Sequence, residues 1–298
     1  MLTVKRLDKA YKNAKEIPFD NNSKYIFFSD VHRGDNTASD EFSRNQSIFY
    51  HALDHYYENE FTYIEIGDGD ELWEHAKFKY IRGAHREVYN LLGKFHNAER
   101  LVMLYGNHNI FLKNPRFVEK NLDHFYDEYL QEKINLFPGI KVHESVLLKH
   151  TKTSQEIFVC HGHQGDLIND QLWRFSMVSL RYFWRYMHTI GFRNPASPAK
   201  NVYKQHRIER NFNKWNKDKQ KMMICGHTHR LKFPNEDELP YFNTGCCVHP
   251  RGITGIEIEN GEISLVEWSV ATDKEGALKI IRKVLRGPSP ILIYEKKE

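Results

Sequence analysis

Residues 24–32 read KYIFFSDVH, a short apolar run that stops abruptly at Asp30, Val31 and His32. The run has the length and the aromatic, β-branched content of a strand covered on both faces. The arrangement recurs four times. TYIEI (62–66) leads into Gly67-Asp68, and LVMLY (101–105) into Gly106-Asn107-His108. EIFVC (156–160) leads into His161-Gly162-His163, and KMMIC (221–225) into Gly226-His227-Thr228-His229. Helix-like stretches at 41–59 and 80–97 separate the first strands, so strands alternate with helices and predict an α/β layered fold. In open α/β sheets, ligand-binding side chains gather at the carboxyl ends of strands. All five polar clusters fall there.

After about residue 221 the pattern changes. Strands are expected near 231–233, 240–243, 253–258 and 262–267. Asn260-Gly261, between two alternating runs, signals a hairpin, so this part reads as antiparallel. Residues 274–286 (KEGALKIIRKVLR) read as a terminal helix stopped by Gly287-Pro288.

The chain has 298 residues, 40% hydrophobic and 13% aromatic, which suits a single domain (1–298) carrying an insertion. Mean hydropathy is −0.66. No apolar run approaches the roughly 20 residues that span a bilayer. Residues 1–20 alternate charge with single apolar residues and lack a signal peptide's apolar stretch, so a cytoplasmic location is expected. Cys160, Cys225, Cys246 and Cys247 form no C-x-x-C pair and read as small core residues in a reducing compartment. There are 17 histidines, several directly after strand-like runs.

Residues 171–221 stand apart. They hold 12 Lys and Arg against 2 Asp and Glu, a charge of about +10, with Trp173, Trp184 and Trp215 among them. Helical spacing fits most of the stretch, with a break between Asn194 and Pro198. We read it as a basic, aromatic helical cap inserted at 167–220 between two polar strand ends.

The strand-end residues are metal ligands by type. Imidazole with carboxylate and amide oxygen favours manganese, iron or zinc over magnesium or calcium. Two metals about 3.5–4 Å apart need a bridging carboxylate, and Asp68 is the natural bridge.

Asp30-x-His32, Gly67-Asp68-x-x-Glu71, Gly106-Asn107-His108, His161-Gly162 and Gly226-His227-Thr228-His229, in this order, resemble the calcineurin-like metallophosphoesterase superfamily. Asn243-Thr244-Gly245 matches a sixth feature of it. The resemblance covers roughly residues 24–270 and implies an α/β/β/α sandwich with two divalent metal ions, manganese first, with iron and zinc as alternatives. It implies one metal on Asp30, His32, Asp68 and His229 and the other on Asp68, Asn107, His161 and His227. His108 then acts on the transition state or the leaving oxygen, and a metal-activated hydroxide hydrolyses a phosphodiester or pyrophosphate bond.

Two positions depart from the pattern. Asn109 stands where the family has a carboxylate; it can orient the His108 ring through its carbonyl but supplies no charge. Arg33 follows the first motif and is expected to grip a second phosphate.

The H-G-H-x-G-D form at 161–166, the insert and the size resemble the UDP-2,3-diacylglucosamine pyrophosphatase branch, although Gly106-Asn107-His108 replaces that branch's G-N-R. The resemblance implies a phosphorylated small molecule or a lipid-linked nucleotide as substrate. It also implies peripheral membrane contact through the cap, with Arg174, Arg181, Arg185, Lys204 and Arg207 meeting the diphosphate. The alternative is a nucleotide or single-stranded nucleic-acid phosphodiesterase, because interleaved aromatics and cations suit stacked bases and phosphates. A non-catalytic interaction scaffold is the remaining alternative; it expects lost ligands, and none is lost here.

Overall fold

The strands are apolar throughout because both of their faces are covered. A computed structural model describes residues 2–127, 130–153, 155–184 and 202–294. Its core is a pair of sheets. In the first, β2 (Tyr25–Phe28), β3 (Thr62–Ile66) and β4 (Leu101–Leu104) are parallel neighbours. The short β7 (Val142–His143) extends this sheet beyond β4. Antiparallel β12 (Ile253–Glu259), β13 (Glu262–Thr272) and β14 (Leu278–Pro290) extend it beyond β2. The second sheet runs through β1 (Lys15–Phe19), β8 (Ser145–His150), β9 (Glu156–Cys160), β10 (Met222–Cys225) and β11 (Tyr241–Asn243). A separate hairpin pairs β5 (His124–Asp127) with β6 (Glu132–Asn135).

Period-two alternation sorts the side chains into layers. Tyr25 and Phe27 of β2, Ile64 and Ile66 of β3, Ile157 and Val159 of β9, and Met222 and Ile224 of β10 meet between the sheets. Their neighbours point outward. Ile26, Phe28 and Tyr63 pack under α2 (Gln46–Glu58), α3 (Phe78–Ala84) and α4 (Arg86–Asn97). On the far side, Phe158, Cys160, Met223 and Cys225 pack under α1 (Leu2–Lys12) and the long helix Val202–Lys219. The layer order is α/β/β/α, as the resemblance implies. All four cysteines are buried and free.

The segment expected as a terminal helix is instead β14. The apolar spacing of Leu278, Ile280, Ile281, Val284 and Leu285 serves either period, and tertiary context decides. Asp273 accepts from the backbone N–H of Glu275 and Ala277 at 2.9 Å each, closing a turn that sends the chain back along β13. Arg282 then reaches Glu257 on β12, donating from Nε at 2.7 Å. β-Branched residues tolerate that extended register.

The stretch read as a cap divides. Its first part forms the short helices α6 (Leu167–Gln171) and α7 (Trp173–Ser179), after α5 (Pro115–Val118) earlier in the chain. Its last part, α8 (Val202–Lys219), is a layer of the sandwich, with Ile208, Phe212 and Trp215 buried against the second sheet. Arg207, Arg210, Lys214, Lys217 and Lys219 are exposed, as on the solvated face of an amphipathic helix. Residues 1–20, to which sequence gives no role, supply α1 and β1 of the same side.

Candidate metal centre

The five polar clusters come together at the carboxyl ends of β2, β3, β4, β9 and β10, where the two sheets meet. The chain leaves these strands by an unusual route. Asp30, His32, Asp68, His227 and His229 all have positive φ, between 50° and 66°. Non-glycine residues visit this left-handed region rarely, and they cluster there at functional sites. The motif glycines answer a different demand, close approach. A Cβ on Gly106 would collide with the Asp68 carboxylate, and one on Gly226 with Ser29 and Asp30.

Asp30 Oδ2 is spoken for by the Ser29 hydroxyl and by the His227 N–H at 2.8 Å. Its other oxygen, Oδ1, is buried and accepts no hydrogen bond. That oxygen lies 3.1 Å from His229 Nε2 and 3.8 Å from His32 Nε2. His32 Nε2 is likewise buried without a hydrogen bond. The reason is on the other side of the ring, where His32 Nδ1 lies 2.9 Å from Glu71 Oε2. A ring that donates from Nδ1 to a carboxylate keeps its Nε2 lone pair for a cation.

The second group repeats this logic. His161 Nδ1 donates to the Ile66 carbonyl at 2.8 Å, which turns Nε2 toward Asp68 Oδ2 at 3.0 Å and Asn107 Oδ1 at 3.2 Å. A neutral ring would aim a lone pair at two oxygens, an arrangement that a cation between them relieves. Burial opposes charge on His161, yet the Asp68 and Asp30 carboxylates hold its pKa above the ordinary value. His227 Nε2 faces Asp166 Oδ2 at 3.3 Å, leaving Nδ1 for the centre. Asp30 with His32 and His229, and Asp68 with His161 and His227, are two groups with donor atoms close enough to hold an ion. Six of the seven residues expected as metal ligands thus fall in these two groups, Asn107 Oδ1 lies beside the second, and His32, Glu71 and His108 form a further group of donors.

The His108 side chain is oriented by a residue that the site reading left out. Glu71 Oε2 lies 2.7 Å from His108 Nδ1, so one carboxylate oxygen holds both His32 and His108. Burial opposes its ionisation, but the His108 and His32 rings keep Glu71 well below the usual carboxylate range. The Trp73 indole stacks on the His108 ring at 4.2 Å between centroids. Asn109 makes no hydrogen bond to that ring. Its Oδ1 accepts from Gly106 N at 2.6 Å and Asp68 N at 3.3 Å, tying two ligand loops together. The charge beside the His108 ring comes from Glu71, whose signal in the sequence is the x-x-Glu spacing after Gly67-Asp68.

Asn243 and Thr244 support the fifth loop. Asn243 Nδ2 donates to the Gly226 carbonyl at 2.7 Å, and the Thr244 hydroxyl meets that of Ser29 at 2.7 Å.

Arg33 corrects the expectation of a phosphate grip. Its side chain is fully buried, with both Nη atoms on Glu65 at 2.7 and 2.9 Å and Nε on Asp70 at 2.9 Å. Tyr63 donates to Glu65, and Tyr89 to Asp70. With His32 N on the Asp68 carbonyl at 2.8 Å, this network rivets the first ligand loop to the second.

Arg181 spends its donors on the carbonyls of Trp73 and Leu72, at 2.7 and 2.8 Å. It fastens the insert to the loop under His108. Arg174 packs its guanidinium over Trp173, and Arg207 is exposed. The Arg185 and Lys204 side chains lie outside the described residues.

No family model and no curated protein sequence matches this chain. Among solved structures it is similar to Vacuolar Protein Sorting 29 from Cryptosporidium parvum. Identity there is 11% and the TM-score 0.38, over 89% of this chain and 98% of that one. It is also similar to a Staphylococcus aureus protein assigned as a 5'-nucleotidase and solved with alpha-ketoglutarate. There the identity is 12% and the TM-score 0.38, over 89% of this chain and 54% of the other, about half its length. Among the described residues, no helix is long and apolar enough to cross a membrane.

Proposed function

We propose that this chain is a metal-dependent phosphoesterase of the calcineurin-like type, cleaving a phosphodiester or pyrophosphate bond at a dinuclear centre. One observation carries the reading. Asp30 Oδ1 and His32 Nε2 are buried without hydrogen bonds, with the His229 imidazole beside Asp30, while His161 Nε2 faces two oxygens. Buried polar atoms left in this state cost free energy unless an ion completes them.

Asp30, His32, Asp68 and His229 would hold one ion, and Asp68, Asn107, His161 and His227 the other. When bound, two divalent cations supply neutralisation of phosphoryl oxygens and a water acidified toward a pKa of about 7. The chain's own part is orientation. Glu71 fixes His32 for its ion and turns His108 Nε2 toward the entering ester, where it serves as proton donor to the leaving oxygen. Mixed nitrogen and oxygen donors favour manganese, with iron and zinc as alternatives.

The segment 167–184 would be the cap, fastened beside His108 by Arg181. A pyrophosphate bond in a lipid-linked nucleotide, as the H-G-H-x-G-D form implies, is the finer reading, with the protein in the cytoplasm. The test is a metal-reconstituted screen of bis(p-nitrophenyl) phosphate, phosphomonoesters and nucleotide diphosphates, beside Asp68→Ala. We expect turnover that requires metal, and loss of both ions in Asp68→Ala by elemental analysis. Full metal occupancy with no turnover of any ester class would instead mark a binding scaffold.

A further inference from the structure

We propose that Arg181 is a positioning residue for His108, acting from the insert through Trp73. A hydrogen bond fixes one atom of an imidazole and leaves the ring free to swing about that bond. For His108 the fixed atom is Nδ1, held by Glu71 Oε2 at 2.7 Å. The plane of the ring is set by the Trp73 indole, stacked on it with centroids 4.2 Å apart and planes inclined by 23°. The His32 ring meets His108 edge-on at 4.7 Å, but His32 is itself held on Glu71. Edge and face together aim Nε2, and either alone leaves it a range of directions.

The edge is secured inside its own loop. Glu71 Oε1 accepts from the Glu74 N–H at 3.3 Å, and the Glu71 carbonyl accepts from the His75 N–H at 3.0 Å. The face is secured from outside it. Trp73 is buried, yet its indole N–H makes no hydrogen bond among the described residues. The backbone carries the constraint instead. Arg181 Nε donates to the Trp73 carbonyl at 2.7 Å, and Nη2 donates to the Leu72 carbonyl at 2.8 Å. Two bonds from one planar guanidinium to successive carbonyls fix the orientation of that turn, which a single donor does not. The segment Leu180–Trp184 buries Leu180 and exposes Tyr182 and Phe183, so it turns residues 180 and 181 toward the loop. The insert thereby sets the one contact of the His108 ring that its own loop leaves open.

The effect on turnover rests on the phosphoesterase reading; the effect on the ring does not. Proton spectra of the full chain, with labelled histidine, identify the His108 ring signals by their loss in His108→Gln. A stacked indole shifts those signals upfield. We expect Arg181→Ala to move them most of the way to their position in Trp73→Ala, with Arg181→Lys between, while the His85 signals, from a ring held on Asp40, stay in place. At saturating metal, Arg181→Ala should lower kcat by about ten- to hundredfold on a phenyl phosphodiester, whose leaving oxygen needs a proton. On bis(p-nitrophenyl) phosphate, whose leaving group departs as an anion, the loss should be no more than about threefold. KM and ion content should stay within about twofold of wild type. The double variant Arg181→Ala/Trp73→Ala should be no slower than Trp73→Ala, because both act through one ring. Equal losses on the two esters or additive losses in the double variant overturn the proposal. A raised KM with kcat unchanged also overturns it, since the guanidinium would then meet substrate. Unmoved His108 signals in Arg181→Ala overturn it whatever the activity. If wild type turns over no ester while the signals move as expected, the phosphoesterase reading fails and the positioning stands.

Discussion

Glu71→Gln tests whether one carboxylate oxygen organises both His32, proposed as a metal ligand, and His108, proposed as the proton donor. Glutamine keeps the length and shape of the side chain and removes its charge. The two contacts, 2.9 Å to His32 Nδ1 and 2.7 Å to His108 Nδ1, are charge-assisted in the native protein. Such bonds contribute about 1.5–3 kcal/mol, against roughly 0.5–1.5 kcal/mol for neutral ones. The exchange therefore costs about 1–1.5 kcal/mol at each ring, or roughly five- to tenfold in each equilibrium. Carboxylates behind metal-bound histidines lower metal affinity by about 10–100-fold when replaced, which brackets the same figure. The assay has two readouts. Manganese titration calorimetry should show one of two ions weakened by about tenfold, the one His32 holds. Steady-state turnover of bis(p-nitrophenyl) phosphate at saturating metal should still fall, because His108 has lost its partner. Metal affinity and saturated kcat both within twofold of wild type would refute the shared-carboxylate reasoning.

Other outcomes follow from the core and its charges. Arg33→Met leaves Glu65 and Asp70 buried without their cation, and should destabilise the fold by about 3–5 kcal/mol in urea melts. A near-native midpoint would mean that the network is not rigid support. Trp215→Ala opens a cavity beneath α8 and should cost about 3–5 kcal/mol, although the residue lies in the basic stretch first read as cap. Folded Trp215→Ala protein should retain its turnover of small diesters. Burial opposes ionisation of Asp40, but the His85 imidazole at 2.8 Å holds its pKa below the ordinary value. A depressed folded pKa gives stability that is complete above the unfolded carboxylate value, about 3.9, and is lost as pH falls through the folded one. Asp40→Asn should therefore lose stability at pH 7 and show a flatter dependence below pH 4; an unchanged acid limb in thermal melts would contradict that sign.

The strand ends were legible because burial on both faces leaves a run of apolar residues that nothing interrupts until the site begins. Asp30, Asp68, Asn107, His161 and His227 stand at those interruptions. Arg33 was misread because the sequence shows its distance from His32 along the chain, and not the carboxylates of Glu65 and Asp70 that fold over it. Asn109 was read against His108 for the same reason, adjacency, while its hydrogen bonds run back to Gly106 and Asp68. The terminal strand β14 escaped because its apolar spacing fits two periods and the deciding partner, Glu257, lies 25 residues away from Arg282. The basic charge of 202–219 concealed an apolar stripe of three residues, Ile208, Phe212 and Trp215, that makes the helix part of the core.

The left-handed backbone at Asp30, His32, Asp68, His227 and His229 has a consequence for how such a chain can change over generations. Each of these residues carries on the order of 1 kcal/mol of conformational cost that glycine would not. Together that is on the order of 5 kcal/mol, comparable to the whole stability margin of many domains. At Asp30 and Asp68 the scaffold opposes exchange for glycine, because their carboxylates accept from the N–H groups of His227 and His108, each at 2.8 Å. At His32 and His229, glycine would return part of that stability while removing a side chain from the strand ends.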